Sequence, residues 1–322
     1  MRAVALEAAD SGVRLMDVPA PEPADGELLV RVRAASINPA DLRVATGNYP
    51  WGKFTFPAVL GFDFAGVVES VGAGVERFGP GDEVLGFWSR GRYHDGSWAE
   101  YLTVPEAAFV VRKPDRITFE QAAALPLAAA TAAQMVDDAA LQRGDGVLIV
   151  GAGGAIGGYA VQLAARAGAR VIAAARTTHE QRLRELGAAE VVDYTREDVV
   201  DAVRERHPDG VSALIDLATE RKDDVTRIAS VVRDGGRVAS ACFAADPDAL
   251  SPRGVVAANV ITTRCDPAIL AGVVELVEAG ELRIAYDQVR PLDEVPAAVG
   301  ELWAGPSSKV VIALSTAGST AD

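Results

Sequence analysis

The stretch Val147-Leu-Ile-Val-Gly151-Ala-Gly153-Gly154-Ala155-Ile156-Gly157-Gly158 decides the fold. An apolar run of strand length enters a glycine turn and leaves as a helix. Glycine is needed where a side chain would hold the backbone away from a pyrophosphate, and the helix that follows offers free N–H groups to that anion. The spacing is not a literal GxGxxG. Counted from Gly151 the sixth position is Ile156, and counted from Ala152 the pattern is Ala-x-Gly154-x-x-Gly157. Its place between a strand and a helix gives it weight. The competing reading is a glycine turn that serves only helix–sheet packing.

Downstream, strands over 147–150, 170–175, 190–192, 211–217 and 236–241 alternate with helices over 155–167, 179–186, 196–206 and 223–233. Residues 254–262 offer a sixth strand. This order predicts a parallel sheet covered by helices, a doubly wound α/β domain. A helix over 267–279, a strand over 284–289, a helix over 293–303 and a strand over 309–314 follow. Upstream, 1–118 is β-rich, with apolar runs over 28–32, 64–71, 82–86 and 98–104 between Gly/Pro turns. Thr118, with Gln121 three residues on, reads as the capping box of an Ala-rich helical stretch that Pro126 interrupts.

The second strand of the series ends at Arg176-Thr177-Thr178, where NAD binders place an acidic residue on the ribose 2′-OH. A guanidinium and two hydroxyls suit a 2′-phosphate, with Arg182 as a second cation, so NADP(H) is the expected cofactor. A solvated surface arginine is the alternative for Arg176. Tyr194 would flank the adenosine. Leu217, Ala218, Ala241 and Phe243 follow the fourth and fifth strands, at the carboxyl ends where ligands of such sheets sit.

Composition bounds the partners. Across 322 residues, 31 Lys+Arg against 45 Asp+Glu give a net charge of −14. That balance argues against nucleic acid or an anionic membrane as the main partner. Two cysteines (Cys242, Cys265) and three scattered histidines give no Cys/His metal spacing, so no Cys/His zinc site is expected and no metal ligand is assigned, with a carboxylate-based site as the open alternative. The longest uncharged run, 146–165, holds six glycines and a strand–turn–helix pattern, unlike a membrane span. The start shows no signal peptide, and the expected location is the cytoplasm.

Ser36-Ile-Asn38-Pro-Ala-Asp41-Leu, Gly47-Asn-Tyr49, Gly61-Phe62-Asp63-Phe-Ala-Gly66, Gly81-Asp-Glu-Val, Gly96-Ser-Trp-Ala-Glu-Tyr, Gly187-Ala-Ala-Glu-Val-Val-Asp-Tyr and Lys309-Val-Val run in order along nearly the whole chain. Together they resemble the medium-chain dehydrogenase/reductase superfamily. Where its zinc alcohol dehydrogenases carry Gly-His-Glu, this chain has Gly61-Phe62-Asp63, and the four-cysteine structural-zinc lobe is absent. The chain therefore looks like the zinc-independent quinone oxidoreductase branch.

The resemblance implies a GroES-like β-rich catalytic domain (1–120 and 264–322) with an inserted Rossmann domain (121–263). It implies NADPH-dependent hydride transfer to a quinone or α,β-unsaturated carbonyl, in a homodimer paired through the sixth strand. It also assigns Asn38 and Thr131 to the surroundings of the nicotinamide and Tyr49 as a polar contact or proton donor. Turn formation by Asn38, wall packing by Tyr49 and back-bonding by Thr131 to its own helix are the structural alternatives. If the aromatics Trp51, Phe54, Trp88 and Tyr93 line the substrate pocket, they suit a flat or bulky apolar small molecule; packing within the β domain is the other reading. An enoyl reductase or redox-neutral tailoring enzyme, and an NADPH-binding sensor with little turnover, remain as alternatives.

Overall fold

The computed structural model describes residues 1–46, 53–88, 92–93, 95–262, 266–304 and 309–314, with backbone alone at 53, 92, 93, 303 and 304. The chain divides into two compact units. One comprises Met1–Leu127, Asp266–Glu278 and Ile284–Asp322; the other comprises Ala128–Cys265 and Ala279–Arg283.

The first unit contains β1 (Arg2–Leu6), β2 (Val13–Asp17), β3 (Glu27–Ile37), α1 (Pro39–Val44), β4 (Lys53–Phe54), β5 (Ala58–Val59), β6 (Asp63–Val71), β7 (Glu83–Phe87), β8 (Arg92–Tyr93), β9 (Tyr101–Pro105), β10 (Phe109–Arg112) and α2 (Phe119–Ala124). In β3 every second residue from Leu28 to Ala34 is buried, the period-two pattern of a strand with one face on the core. Register shifts opposite β6 bend this long strand. The Thr118–Gln121 capping box forms: the Thr118 hydroxyl accepts from the Gln121 N–H at 3.2 Å, and the Gln121 carboxamide accepts from the Thr118 N–H at 3.0 Å. Strands β1, β2, β5 and β10 lie outside the four apolar runs. They are short, and β2 is mostly exposed, so hydrophobic pattern alone does not announce them.

The second unit begins within α3 (Pro126–Ala139), which Pro126 separates from α2. It continues through β11 (Gly146–Val150), α4 (Ala155–Arg166), β12 (Arg170–Ala174), α5 (Glu180–Glu185), β13 (Glu190–Val192), α6 (Val199–Arg206), β14 (Val211–Asp216), α7 (Lys222–Ile228), β15 (Val232–Ser240), α8 (Pro247–Leu250) and β16 (Val256–Asn259). The sheet is parallel throughout, in the order β13-β12-β11-β14-β15-β16. All six residues of β14 are buried, as expected of a strand covered on both faces. The helix expected over 223–233 stops at Ile228, and extended chain resumes at Val232. The β-branched pair Val231-Val232 packs into the core and favours strand, and Gly235-Gly236 disfavours helix.

The chain then returns to the first unit with α9 (Ala268–Glu278), β17 (Gln288–Pro291), α10 (Val295–Ala304) and β18 (Val310–Ala313). Strand β18 enters the first unit's main sheet antiparallel to β3, and β17 pairs parallel with β18. That pairing places β17 later than the expected 284–289, because its register is set by β18 and not by its own sequence. Among the described residues no helix is long and apolar enough to cross a membrane.

Candidate active site

In the second unit the glycine turn joins the carboxyl end of β11 to α4. Gly151 has φ +79°, a conformation that L side chains rarely adopt. A Cβ on Gly157 would lie 2.5 Å from the Ala152 backbone, so glycine is what lets α4 approach the turn. The α4 N-cap is Gly154, which provides no side-chain cap, so the first-turn N–H groups of Ala155, Ile156 and Gly157 point out of the helix without one. Such an uncapped N-terminus fits a pyrophosphate. Arg182 donates to the carbonyl of Gly153, so it braces the turn. Leu217 and Ala218 flank the loop: their Cβ atoms would sit 3.2 and 3.1 Å from a Cβ on Gly151. Ala241 continues β15 by donating to the carbonyl of Asp216 at 2.9 Å, and Phe243 takes the left-handed φ of 60°.

At the end of β12, Arg176, Thr177 and Thr178 are exposed. Arg176 Nε donates to the Tyr194 hydroxyl at 3.1 Å, so the predicted cation and aromatic residue stand together. Asp193 is a residue that the cofactor reading undervalues. The Thr177 hydroxyl, followed by the Thr195 hydroxyl and backbone N–H, holds its carboxyl well below the usual carboxylate range. Thr131, on α3, is buried and shares a 2.7 Å hydrogen bond with Thr262.

The first unit carries a buried polar cluster. Lys309, just before β18, places Nζ 3.0 Å from Asp63 Oδ2 and donates to Asn38 Oδ1 at 2.8 Å. Asp63 Oδ2 also accepts from the Ser36 hydroxyl at 2.7 Å and from Asn38 Nδ2 at 2.9 Å, while Oδ1 accepts from the Leu127 N–H at 2.8 Å. Asp41 Oδ2 accepts from the Asn38 backbone at 2.7 Å and its side chain at 3.2 Å. The Asn38 side chain is thus directed into this cluster at both its oxygen and its nitrogen. Ser36, Asp41, Asp63 and Lys309 are not among the candidate residues read from the sequence. The available signal was a charge set inside an apolar run, as in Phe62-Asp63-Phe64 and Lys309-Val310-Val311.

Burial, then the neighbouring charge of Asp63, pushes the Asp41 carboxyl up from 3.8 to about 8. Its Oδ1 is buried with no hydrogen-bond partner among the described residues. Near neutral pH the native Asp41 holds a proton that an unfolded aspartate has lost. The native state therefore binds more protons between pH 3.8 and about 8, and stability falls as pH rises through that window, levelling off above it. Asp41→Asn removes the titration. We expect the variant to gain on the parent progressively from pH 5 to pH 8, by on the order of 5 kcal/mol at most. Parallel melting-temperature profiles from pH 5 to 9 would exclude this.

Of the expected substrate-side aromatics, Phe54 stacks on Phe56 with centroids 5.7 Å apart, and Trp88 buries an indole Nε1 that has no partner among the described residues. Tyr49 and Trp51 lie outside the described residues, as does the side chain of Tyr93.

An "Alcohol dehydrogenase GroES-like domain" family model matches residues 24–115, and a "Zinc-binding dehydrogenase" model matches 155–264. A 2-methylene-furan-3-one reductase of Solanum lycopersicum is 32% identical over 280 residues, 85% of this chain and 69% of its own. The chain belongs to the medium-chain dehydrogenase/reductase superfamily. A chloroplastic NADPH-dependent alkenal/one oxidoreductase of Arabidopsis thaliana is 34% identical over 80% of this superfamily member and 65% of itself. The solved structure of a quinone oxidoreductase from Coxiella burnetii is 27% identical, with TM-score 0.86, covering 98% of this chain and 99% of that one.

The zinc that one model's name implies does not fit this member of the superfamily. Phe62 is a buried phenyl ring with no ligand atom, and Asp63 beside it is tied to Lys309. Among the described residues no group of three or more His, Cys, Asp or Glu could hold a metal ion.

Proposed function

We propose that this chain is a zinc-independent NADP(H)-dependent reductase of quinones or α,β-unsaturated carbonyls. The observation that carries the reading is its likeness to named quinone and enone reductases along almost its whole length, combined with Phe62 where zinc relatives need a ligand. A bound nicotinamide dinucleotide supplies the hydride. The turn Gly151, Gly153 and Gly154 with the N-terminus of α4 (Ala155, Ile156, Gly157) holds its pyrophosphate. Arg176, Thr177, Thr178 and Arg182 receive the 2′-phosphate, and Tyr194 flanks the adenosine. Leu217, Ala218, Ala241 and Phe243 line the remainder at the strand ends.

Without a metal on the substrate oxygen, the protein must orient the acceptor, offer that oxygen a hydrogen bond and exclude water. A conjugated carbonyl suits this because charge from hydride addition spreads to the oxygen. Asn38, Tyr49 and Thr131 keep the nicotinamide-side and polar roles given by the resemblance, with Asn38 fixed by Lys309 and Asp63. Trp51, Phe54, Trp88 and Tyr93 favour flat apolar acceptors. The assembly is a homodimer paired through β16, which lies at the edge of its sheet, and its place is the cytoplasm.

Chelator-treated protein should oxidise NADPH with 1,4-benzoquinone, 9,10-phenanthrenequinone or a simple enone, at no less than half the untreated rate. Loss of turnover on chelation that zinc restores would overturn the metal-free reading. Tight NADPH binding with no turnover on any acceptor would favour the sensor.

A further inference from the structure

Val150, Asp216 and Ser240 stand side by side in register, on the last rung shared by β11, β14 and β15. The glycine turn leaves the sheet after Val150, and the loops 217–219 and 241–244 leave it after the other two. Asp216 and Ser240 are both fully buried. Among the described residues Asp216 forms no ion pair; its partners are hydrogen-bond donors. A buried carboxyl of this kind is costly unless hydrogen bonds offset the loss of water.

Those hydrogen bonds run into both loops. Asp216 Oδ1 accepts from the Thr219 N–H at 3.1 Å and, more loosely, from the Ala218 N–H at 3.5 Å. Asp216 Oδ2 accepts from the Ser240 hydroxyl at 3.1 Å. With its hydrogen given to Asp216, the Ser240 oxygen turns its lone pairs to the second loop. It accepts there from the Cys242 N–H at 3.2 Å and the Ala244 N–H at 3.4 Å. One donor and two acceptor positions are all that a serine hydroxyl has. Asn259, next on the rung, holds the far end of that loop through Ala245, so 241–244 is left to Ser240.

Between the two N–H groups held by Ser240 lies Phe243, with its left-handed φ of 60°. A residue other than glycine keeps such a conformation only where its surroundings impose it. The other loop places Leu217 and Ala218 against Gly151. One carboxyl and one hydroxyl thus shape both loops at the strand ends where ligands of such sheets sit.

We propose that Asp216 and Ser240 are positioning residues for dinucleotide binding, holding both loops in a receptive shape before the cofactor arrives. Affinity for NADPH and NADH alike depends on them, because a preshaped loop avoids an ordering cost on binding. The inference rests on the cofactor reading above. The acid is needed as an acid. An amide at 216 would set its NH2 against either the Ser240 hydroxyl or the Ala218 and Thr219 N–H groups, donor against donor, whichever way it turned.

The test is fluorescence titration of the full chain with NADPH and with NADH, beside a thermal melt. Ser240→Ala should raise both Kd values about five- to tenfold, by the same factor. Asp216→Asn keeps the volume and should do the same; it carries the test if Ser240→Ala does not fold. The double variant should bind no more than about twofold more weakly than the weaker single one, because both act through one chain of hydrogen bonds. Arg176→Ala, by contrast, should weaken NADPH alone. Folded variants with both Kd values within about twofold of the parent would overturn the proposal, whatever the melt shows. So would losses that multiply in the double variant. A parent chain that binds neither dinucleotide would remove the cofactor reading itself, and this inference with it.

Discussion

Lys309→Met destabilises the first unit by about 3–5 kcal/mol, the usual cost of removing one partner from a buried ion pair. Lys309 is 3% exposed and Asp63 fully buried, so water cannot replace the lost ammonium. The substitution leaves Asp63 with its Ser36, Asn38 and Leu127 donors but no countercharge, and it strips the donor from Asn38 Oδ1. A thermal melt should show the transition of this unit fall by about 10 °C. The double variant Lys309→Met/Asp63→Asn should recover part of it, because the uncompensated charge is gone. If the two single losses simply add, the pair is not coupled and the cluster is ordinary packing. The same substitution should lower turnover while leaving NADPH affinity nearly unchanged, since the cluster lies in the unit that does not carry the glycine turn.

Arg176→Ala raises the Kd for NADPH ten- to a hundredfold and changes that for NADH less than about threefold. The range corresponds to losing one or two charge-assisted hydrogen bonds to a phosphate. Arg176 stands exposed at the end of β12 with Nε on Tyr194, leaving its terminal nitrogens available to a 2′-phosphate. The acidic residue nearby, Asp193, accepts from Thr177 and Thr195. Its hydrogen bonds come from Thr177, after β12, and from Thr195 in its own loop, and it follows β13, whereas the ribose-binding acid of NAD proteins follows the second strand. Fluorescence titration with both cofactors decides the matter; equal losses for NADPH and NADH would remove the 2′-phosphate role.

Much of the second unit was legible because its signals are local. The glycine turn depends on contacts within about ten residues, and the strand–helix alternation is written in the length and apolarity of each segment. Boundaries moved where tertiary packing overrode local preference. The helix after β14 gave way at Ile228 because Val231 and Val232 are drawn into the core. Strand β17 took its register from β18. The first unit was harder to read. Its short strands are stabilised by partners far away in sequence, such as β1 with β5 or β3 with β18, and no window of sequence contains both members.

The candidate site divides in the same way. By itself, the sequence determined the glycine turn, the cation-and-hydroxyl set at Arg176–Thr178 that argues for a 2′-phosphate, and the phenylalanine at 62 where the resemblance would place a histidine in zinc alcohol dehydrogenases. Each is a matter of which residue type stands at one position of a local motif. Only the tertiary structure decided that Asn38 is held by Lys309 from the far end of the chain and that Asp63 pairs with that lysine. The same is true of the burial that lets Asp41 keep a proton to about pH 8. Those properties depend on dehydration and on charges brought together across more than two hundred residues of sequence, and neither is encoded at any single position.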